Sequence, residues 1–403
     1  MPRSVDRFLV SAEWPRHPDP EVRKRAVQAL LTNHTLVVGQ SRSGKTSAAR
    51  RMIEEILLWT DTRLVLLDPN ADFRWLNEVD LKVADKRFPS LWRNLQPRIR
   101  IASPSGAQPW GILWGQLSLE EMAAFLKLTP KDTFAEYQHF LHHWDFARET
   151  FLKRARNHAH MTFQQFRESQ YFGIAAGEAL ERYRLLLQEL AARKVWATVP
   201  RSDLDSLIAE RSRAVVLDLS IDDDEVRTMS AARALQVLWR MGETARTRAL
   251  QAKRRTRWVG TLVVIDEAHI FAPAKTTNLQ QQLVSERIQR LADQGKKFNL
   301  YLLLITQQPD KLNQRILAEC GNRVVLRMNE RISLRVLEDT YGGLRGRYDG
   351  TLTFSPGEAL IEGALLCDED PPSPVPRGIQ FQRPRTREGG GNPDARWALP
   401  KSV

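Results

Sequence analysis

Cysteine is scarce in this chain: two among 403 residues, Cys320 and Cys367. Both sit in or beside apolar stretches, so the expectation is reduced thiols in a cytoplasmic protein rather than a disulfide framework. Long hydrophobic runs are missing too. None approaches the ~20 apolar residues needed to cross a bilayer, which argues against a membrane-embedded protein. The opening Met-Pro-Arg-Ser-Val-Asp-Arg has no signal-peptide core. No internal repeat is evident, and there is no His-Glu-x-x-His pattern. Acid is in short supply: 48 Asp and Glu face 60 Lys and Arg, giving a net charge of +12 and a pI near 9.9. Such a balance is usual for a protein with a polyanionic partner.

Hydrophobic content of 42% and charged content of 27% are ordinary for a globular chain. The length suits one large α/β domain with an insertion, or two domains. Residues 1–33 read as an N-terminal arm: Pro15, Pro18 and Pro20 mark an irregular stretch, and Glu21 to Leu31 reads as a helix. Strand signals follow at Thr35–Val38, Leu64–Leu67, Ile99–Ala102, Ala214–Leu217, Leu262–Ile265, Leu300–Ile305 and Arg323–Leu326. Most are continuous apolar runs, as expected of parallel strands buried on both faces. Helical patterns between them predict a doubly wound, mostly parallel α/β core over 34–114 and 211–365.

Strand signals vanish over 115–210. That stretch predicts an all-α insertion rich in aromatics, Phe134, Tyr137, Phe140 and Trp144 among them. It holds five of the eight histidines. His139 and His143 have the i, i+4 spacing of a metal pair, but no cysteine accompanies them, and packed or solvated histidines are expected. After Gly363 proline and glycine accumulate, so 366–403 reads as a C-terminal arm or tail. A basic run from Arg240 to Arg257 carries seven cations against one acid, Glu243. It reads either as a solvated helix face or as a nucleic-acid contact, as does Lys275 further on.

Residues 39–46, Gly-Gln-Ser-Arg-Ser-Gly-Lys-Thr, fit the phosphate-binding pattern G-x-x-x-x-G-K-[ST] in full. The strand Thr35–Val38 precedes it. A helix follows over Ser47 to Trp59, with Ala48, Ala49, Met52, Ile53, Ile56 and Leu57 on one face. Strand, glycine loop and helix let backbone N–H groups and a helix N-terminus hold a polyphosphate. Gly39, Gln40, Ser41, Arg42, Ser43, Gly44, Lys45, Thr46 and Ser47 are therefore the candidate ATP-binding residues. Thr261 to Glu267 is an apolar strand ending in adjacent carboxylates. Asp266, with the Thr46 hydroxyl, is the candidate Mg²⁺ ligand. Glu267 is the candidate base that orients and deprotonates the attacking water, and Lys45 would neutralise the β- and γ-phosphates. A further strand, Leu300–Ile305, ends in Thr306-Gln307-Gln308-Pro309, and Gln307 is a candidate γ-phosphate sensor.

Taken in order, these segments resemble the HerA/FtsK superfamily of motor ATPases, within it the HerA branch. The likeness runs through His34 to Thr46, Leu64 to Phe73, Ala214 to Ser220, Asp266-Glu267-Ala268-His269, Leu291 to Phe298, Thr306 to Pro309 and Cys320 to Leu326. It implies a RecA-like ATPase forming a ring, usually a hexamer, with ATP at subunit interfaces. It also implies double-stranded DNA in a basic channel and an arginine finger from a neighbouring subunit. The chain departs from the family pattern in three ways. Only 38 residues precede Gly39, too few for the family's β-barrel. Gly295-Lys296-Lys297 has lysine where an arginine is frequent, and Gln307-Gln308-Pro309 lacks another arginine. The finger is therefore sought among Arg290, Lys296, Arg287, Arg315 and Arg323. Two functions follow. One is an ATP-driven ring that binds and translocates double-stranded DNA. The other is a partner-gated assembly ATPase whose ring engages an effector protein without processive translocation.

Overall fold

The computed structural model describes residues 13–14, 27–84, 86–103, 110–112, 117–118, 120–121, 124, 202–210, 212–251, 259–342, 345–365 and 376–388. In chain order its strands are β1 (Glu13–Trp14), β2 (Thr35–Val38), β3 (Arg63–Asp68), β4 (Ile99–Ala102), β5 (Trp110–Gly111), β6 (Ser202–Asp203), β7 (Ala214–Asp218), β8 (Thr261–Ile265), β9 (Leu300–Thr306), β10 (Asn322–Leu326), β11 (Glu358–Glu362) and β12 (Arg377–Phe381). The described helices are α1 (Lys45–Trp59), α2 (Phe88–Leu95), α3 (Leu204–Ala209), α4 (Asp224–Gln251), α5 (Ala268–Phe271), α6 (Leu279–Gln294), α7 (Gln314–Ala318) and α8 (Arg331–Thr340).

Ten strands form one sheet in the order β1-β12-β11-β10-β2-β9-β8-β3-β7-β4. From β10 to β4 every pairing is parallel; β11 runs antiparallel to both β10 and β12. The continuous apolar strands are explained by burial on both faces. Because successive side chains alternate, Leu36, Val65, Val215, Val263 and Leu302 enter one core with α4 and α6. Val37, Leu64, Ala214, Leu262 and Leu303 enter the other with α1 and α2. The doubly wound RecA-like expectation holds, and each predicted strand is present within a residue or two of its expected ends.

Three differences stand out. β11 and β12 extend the sheet beyond the predicted strands, so the C-terminal segment, expected to be an arm, supplies a strand to it. β12 follows a proline-rich stretch and alternates, which hides it from a search for continuous apolar runs. The insertion expected over 115–210, with His139 and His143, lies almost wholly outside the described residues. At its ends the described part includes a short β5–β6 pairing and Glu121, whose buried carboxylate takes Arg233 at 2.9 Å and Arg287 at 2.6 Å. Of the expected helix Glu21 to Leu31, the described portion is helical over 27–29.

Candidate nucleotide-binding site

The sheet order decides where the candidate residues meet. β2 carries the glycine loop at its end, β8 carries Asp266 and Glu267, and β9, between them, carries Gln307. Parallel strands deliver all three tips to one carboxyl edge, where open α/β sheets bind ligands.

The start of the loop is held by backbone bonds to the tips of the strands on either side of β2. Gly39 N–H donates to Thr306 C=O at 3.3 Å, and Gln40 N–H to Arg327 C=O at 2.9 Å. Arg42 and Gly44 have left-handed backbones, with φ of 61° and 92°. At Gly44 a Cβ would lie 2.9 Å from the Gly357 nitrogen, so glycine is required twice over. Helix α1 begins at Lys45 with no side-chain cap. Its first backbone bond runs from Ala48 N–H to Gly44 C=O. The preceding N–H groups thus lack intrahelical acceptors and, with the helix dipole, suit a polyphosphate.

Lys45 Nζ lies 3.1 Å from Glu267 Oε1. Glu267 is buried, and its own backbone is left-handed, φ 43° and ψ 52°. A non-glycine residue adopts that conformation only where its surroundings impose it. Here the imposition aims a carboxylate across the site at Lys45. Glu267 Oε2 lies 3.5 Å from His269 Nδ1, which in turn contacts Thr306 Oγ1 at 2.9 Å. Burial lowers the His269 pKa. Ser41 Oγ donates to Gln307 Oε1 at 2.9 Å, tying the loop to the sensor strand.

Asp266 is 1% exposed, and neither of its carboxylate oxygens has a hydrogen-bond partner. Burial first, then the charges of Glu267 and Asp68, push its pKa well above the usual carboxylate range, against the pull of Lys45. Burial likewise raises Asp68 to about 7 and raises Asp72. Several carboxylates thus face one ammonium, and the orphaned pair of oxygens belongs to Asp266. That donor set fits a divalent cation. Among the described residues no cluster of three or more His, Cys, Asp or Glu could hold a metal alone. Mg²⁺ in particular is usually held by one or two protein oxygens plus substrate phosphates. Thr46, in the first turn of α1, places its hydroxyl on the same loop.

The sequence reading missed three contributors. Asp68, at the tip of β3, accepts the N–H groups of Asp72 and Phe73 at 3.0 and 2.8 Å and fixes the turn beside Asp266. Arg50 is buried in α1, bonded to the carbonyls of Asp72 and Arg387. Residues 382–388 run along α1, where Ser47 Oγ donates to Glu388 Oε1 at 2.7 Å. The acidic-aromatic pair after β3 was a visible signal for the first; the other two needed the tertiary fold.

The finger candidates are dispersed. Arg287 is buried against Glu121. Arg323 is paired with Glu362 and lies 4.0 Å from the Tyr341 ring centroid. Neither is available to a neighbouring subunit, which removes both from the candidates. Arg290 lies over the Trp239 ring at 3.9 Å and 3.4 Å from Glu243, with half its side chain exposed. Lys296 is exposed, 3.4 Å from Asn33 Oδ1. Both therefore bond within their own chain at positions away from the loop. Arg315 is exposed. In the basic run, Arg240 and Arg248 are exposed on α4 and Arg246 lies over Phe298; Lys253 to Arg257 fall outside the described residues. Lys275 is exposed.

A family model described as the central domain of helicase HerA matches residues 25–238, more than half of the chain. The chain belongs to this HerA family. The match bears out the resemblance read from the motifs. The DNA double-strand break repair helicase HerA of Pyrococcus furiosus is 22% identical over 382 residues, covering 86% of this chain and 66% of that protein. A probable helicase of Methanocaldococcus jannaschii is 29% identical over 147 residues, 36% of this chain and 27% of that protein. The chain thus spans less than two thirds of the length of these curated relatives. Among solved structures, VirB4 of Thermoanaerobacter pseudethanolicus superposes with a TM-score of 0.54 at 14% identity, covering 86% of this chain and 88% of that one. The bacterial conjugative coupling protein TrwB gives 0.54 at 16% identity, covering 91% and 88%. At these identities the likeness is one of fold. No helix among the described residues is long and apolar enough to cross a membrane.

Proposed function

We propose that the chain is a Mg²⁺-dependent ATPase that couples hydrolysis to movement along double-stranded DNA as a closed ring of identical subunits. The observation that carries the reading is the Lys45–Glu267 pair at 3.1 Å beside the orphaned Asp266 carboxylate, at the junction of β2, β9 and β8. A protein that only binds nucleotide has no need of a buried second carboxylate there.

In this mechanism the phosphates lie along the loop N–H groups. Lys45 exchanges Glu267 for β- and γ-phosphate oxygens. Thr46 and Asp266 would hold Mg²⁺, which offsets phosphate charge. Glu267, released from Lys45, takes a proton from the attacking water as its oxygen bonds to the γ-phosphorus and the bond to the bridging β–γ oxygen breaks. Gln307, hydrogen-bonded to Ser41, registers the γ-phosphate and relays its loss through β9. A cation from the neighbouring subunit, Arg290, Arg315 or Lys296, would complete the charge stabilisation in the ring.

The DNA part of the reading is supported by the net charge of +12 and by the names of the curated relatives. Contacts would be to phosphates, hence independent of sequence and sensitive to salt. The basic stretch of α4 and Lys275 are the candidate contact surfaces. The test is ATP-dependent displacement of a third strand from a triplex-bearing duplex. Displacement by the wild-type chain, absent with Lys45→Ala, is the expected result. ATP turnover without displacement would turn the reading to a partner-gated ATPase.

A further inference from the structure

We infer that His269 is a positioning residue for hydrolysis: it holds Glu267 from behind, by a bond from Nδ1 to Oε2, and rests that bond on Thr306 of the sensor strand. The inference rests on the reading of Glu267 as the base and adds what keeps that base aimed.

The two oxygens of the Glu267 carboxylate have different surroundings. Oε1 faces the glycine loop, 3.1 Å from Lys45 Nζ. Oε2 is buried without a hydrogen-bond partner and lies 3.5 Å from His269 Nδ1. A buried carboxylate oxygen left in that state is costly. The short helix α5 fixes where the ring stands. Ile270 N–H donates to Glu267 C=O at 2.8 Å, and Ala272 N–H to Ala268 C=O at 2.9 Å. The ring itself rests on Thr306 Oγ1, 2.9 Å from Nδ1. Thr306 is fully buried, and its hydroxyl oxygen accepts Gln308 N–H at 3.1 Å. Thr306 C=O accepts Gly39 N–H at 3.3 Å, so the seat of the ring is also tied to the glycine loop.

Burial favours the neutral ring, which has a single N–H to place. Nδ1 faces two oxygens, so a proton there reaches Thr306 or Glu267 from one position. While Lys45 neutralises Glu267, Oε2 can do without it. When Lys45 moves to the phosphates, the carboxylate loses its cation and needs a donor. Nδ1–H then holds Oε2 and stops the side chain from following Lys45, because a hydrogen bond to a charged acceptor is among the stronger kinds. Oε1 is left facing the loop, where the attacking water stands in the proposed mechanism. Thr306 directly precedes Gln307, which accepts the Ser41 hydroxyl. A shift of the β9 tip when the γ-phosphate is lost therefore moves the seat of the ring and slackens the base.

The test is a double-mutant cycle on the full chain, read as kcat and KM for ATP with calorimetric ATP binding alongside. His269→Leu should lower kcat about ten- to hundredfold and leave ATP affinity as in wild type. His269→Asn, which keeps an N–H near the Nδ1 position, should recover kcat to within about threefold of wild type. In the Glu267→Gln background, His269→Leu should not slow the residual turnover further, since the ring acts only through the carboxylate. A kcat for His269→Leu within about twofold of wild type would overturn the inference. So would a His269→Asn as slow as His269→Leu, equal slowing by His269→Leu in both backgrounds, or loss of ATP binding. If His269→Leu does not fold, Thr306→Val takes its place: it removes the seat, keeps the volume, and should lower kcat several-fold at unchanged ATP affinity, and a wild-type kcat there would overturn the inference. Glu267→Gln turning over within about tenfold of wild type would instead refute the base, and the inference with it.

Discussion

Glu267→Gln separates binding from chemistry at this site. The substitution keeps the side chain's volume and leaves an amide facing Lys45, which now sits 3.1 Å from a carboxylate oxygen. The buried ion pair dissolves, and Lys45 no longer has to leave an anion to meet phosphate. ATP affinity should therefore stay the same or rise. On the proposed mechanism, what should disappear is the step that needs a carboxylate: taking the proton of the attacking water. A positioned general base is worth about 10²–10⁴ in rate, or about 3–5 kcal/mol of barrier. Burial favours the high end, because Glu267 is 5% exposed and bulk water is a poor substitute there. The assay is phosphate release at saturating ATP, with Lys45→Ala as the background and calorimetric ATP binding alongside. A kcat within tenfold of wild type would refute the assignment of the base. So would a loss of ATP binding, because the argument requires the amide to leave the loop intact.

Three further outcomes follow from the geometry. Mixing Glu267→Gln subunits into wild-type protein should depress DNA-stimulated turnover more than in proportion to their fraction if subunits act in a ring; a linear decline would argue for independent subunits. Glu121 is fully buried between Arg233 and Arg287, and although burial alone would raise its pKa, the two guanidinium groups outweigh it and hold the carboxyl below the usual range. Glu121→Ala leaves two buried cations short of a partner and should cost about 3–5 kcal/mol in denaturant unfolding, whereas a cost under about 1 kcal/mol would mean the charges find water. His34 accepts the Leu302 N–H at Nδ1, 2.9 Å, so its Nε2–H donates to Ala292 C=O at 3.0 Å. Burial, then the Lys296 charge, lower its pKa to about 4. With the folded pKa below the unfolded value of about 6.5, its contribution of roughly 3 kcal/mol is complete above pH 6.5 and fades as pH falls towards 4. His34→Leu should thus melt well below wild type at pH 7.5, with the gap narrowing towards pH 4.5; a constant gap would refute the attribution.

The parallel core was legible because most of its strands are short apolar runs, rich in β-branched residues and separated by helical patterns, as strands buried on both faces require. The glycine loop and the Asp266-Glu267 pair were legible because their chemistry demands particular residues at fixed spacing. What the sequence hid depends on partners far along the chain. Arg50, Arg51, Glu54 and Glu55 read as the solvent face of an amphipathic helix, yet all four are buried. The cover is residues 382–388, which reach them through Glu54 and Arg385, 331 positions apart. Local periodicity carries no trace of that contact. The same holds for the finger candidates. Arg287 and Arg323 look as accessible in sequence as Arg290, and only the fold places Glu121 and Glu362 against them. The backbone strain at Glu267 is likewise a product of packing, since nothing about a glutamate in sequence foretells φ of 43°.

The most direct test of the account is steady-state ATP hydrolysis by the purified chain with and without long double-stranded DNA, at low and moderate salt. DNA held through phosphates should stimulate turnover several-fold at low salt, and the stimulation should fade steeply as salt rises. Hydrolysis of the same rate with and without DNA at every salt concentration would contradict the claim that this ATPase acts on DNA.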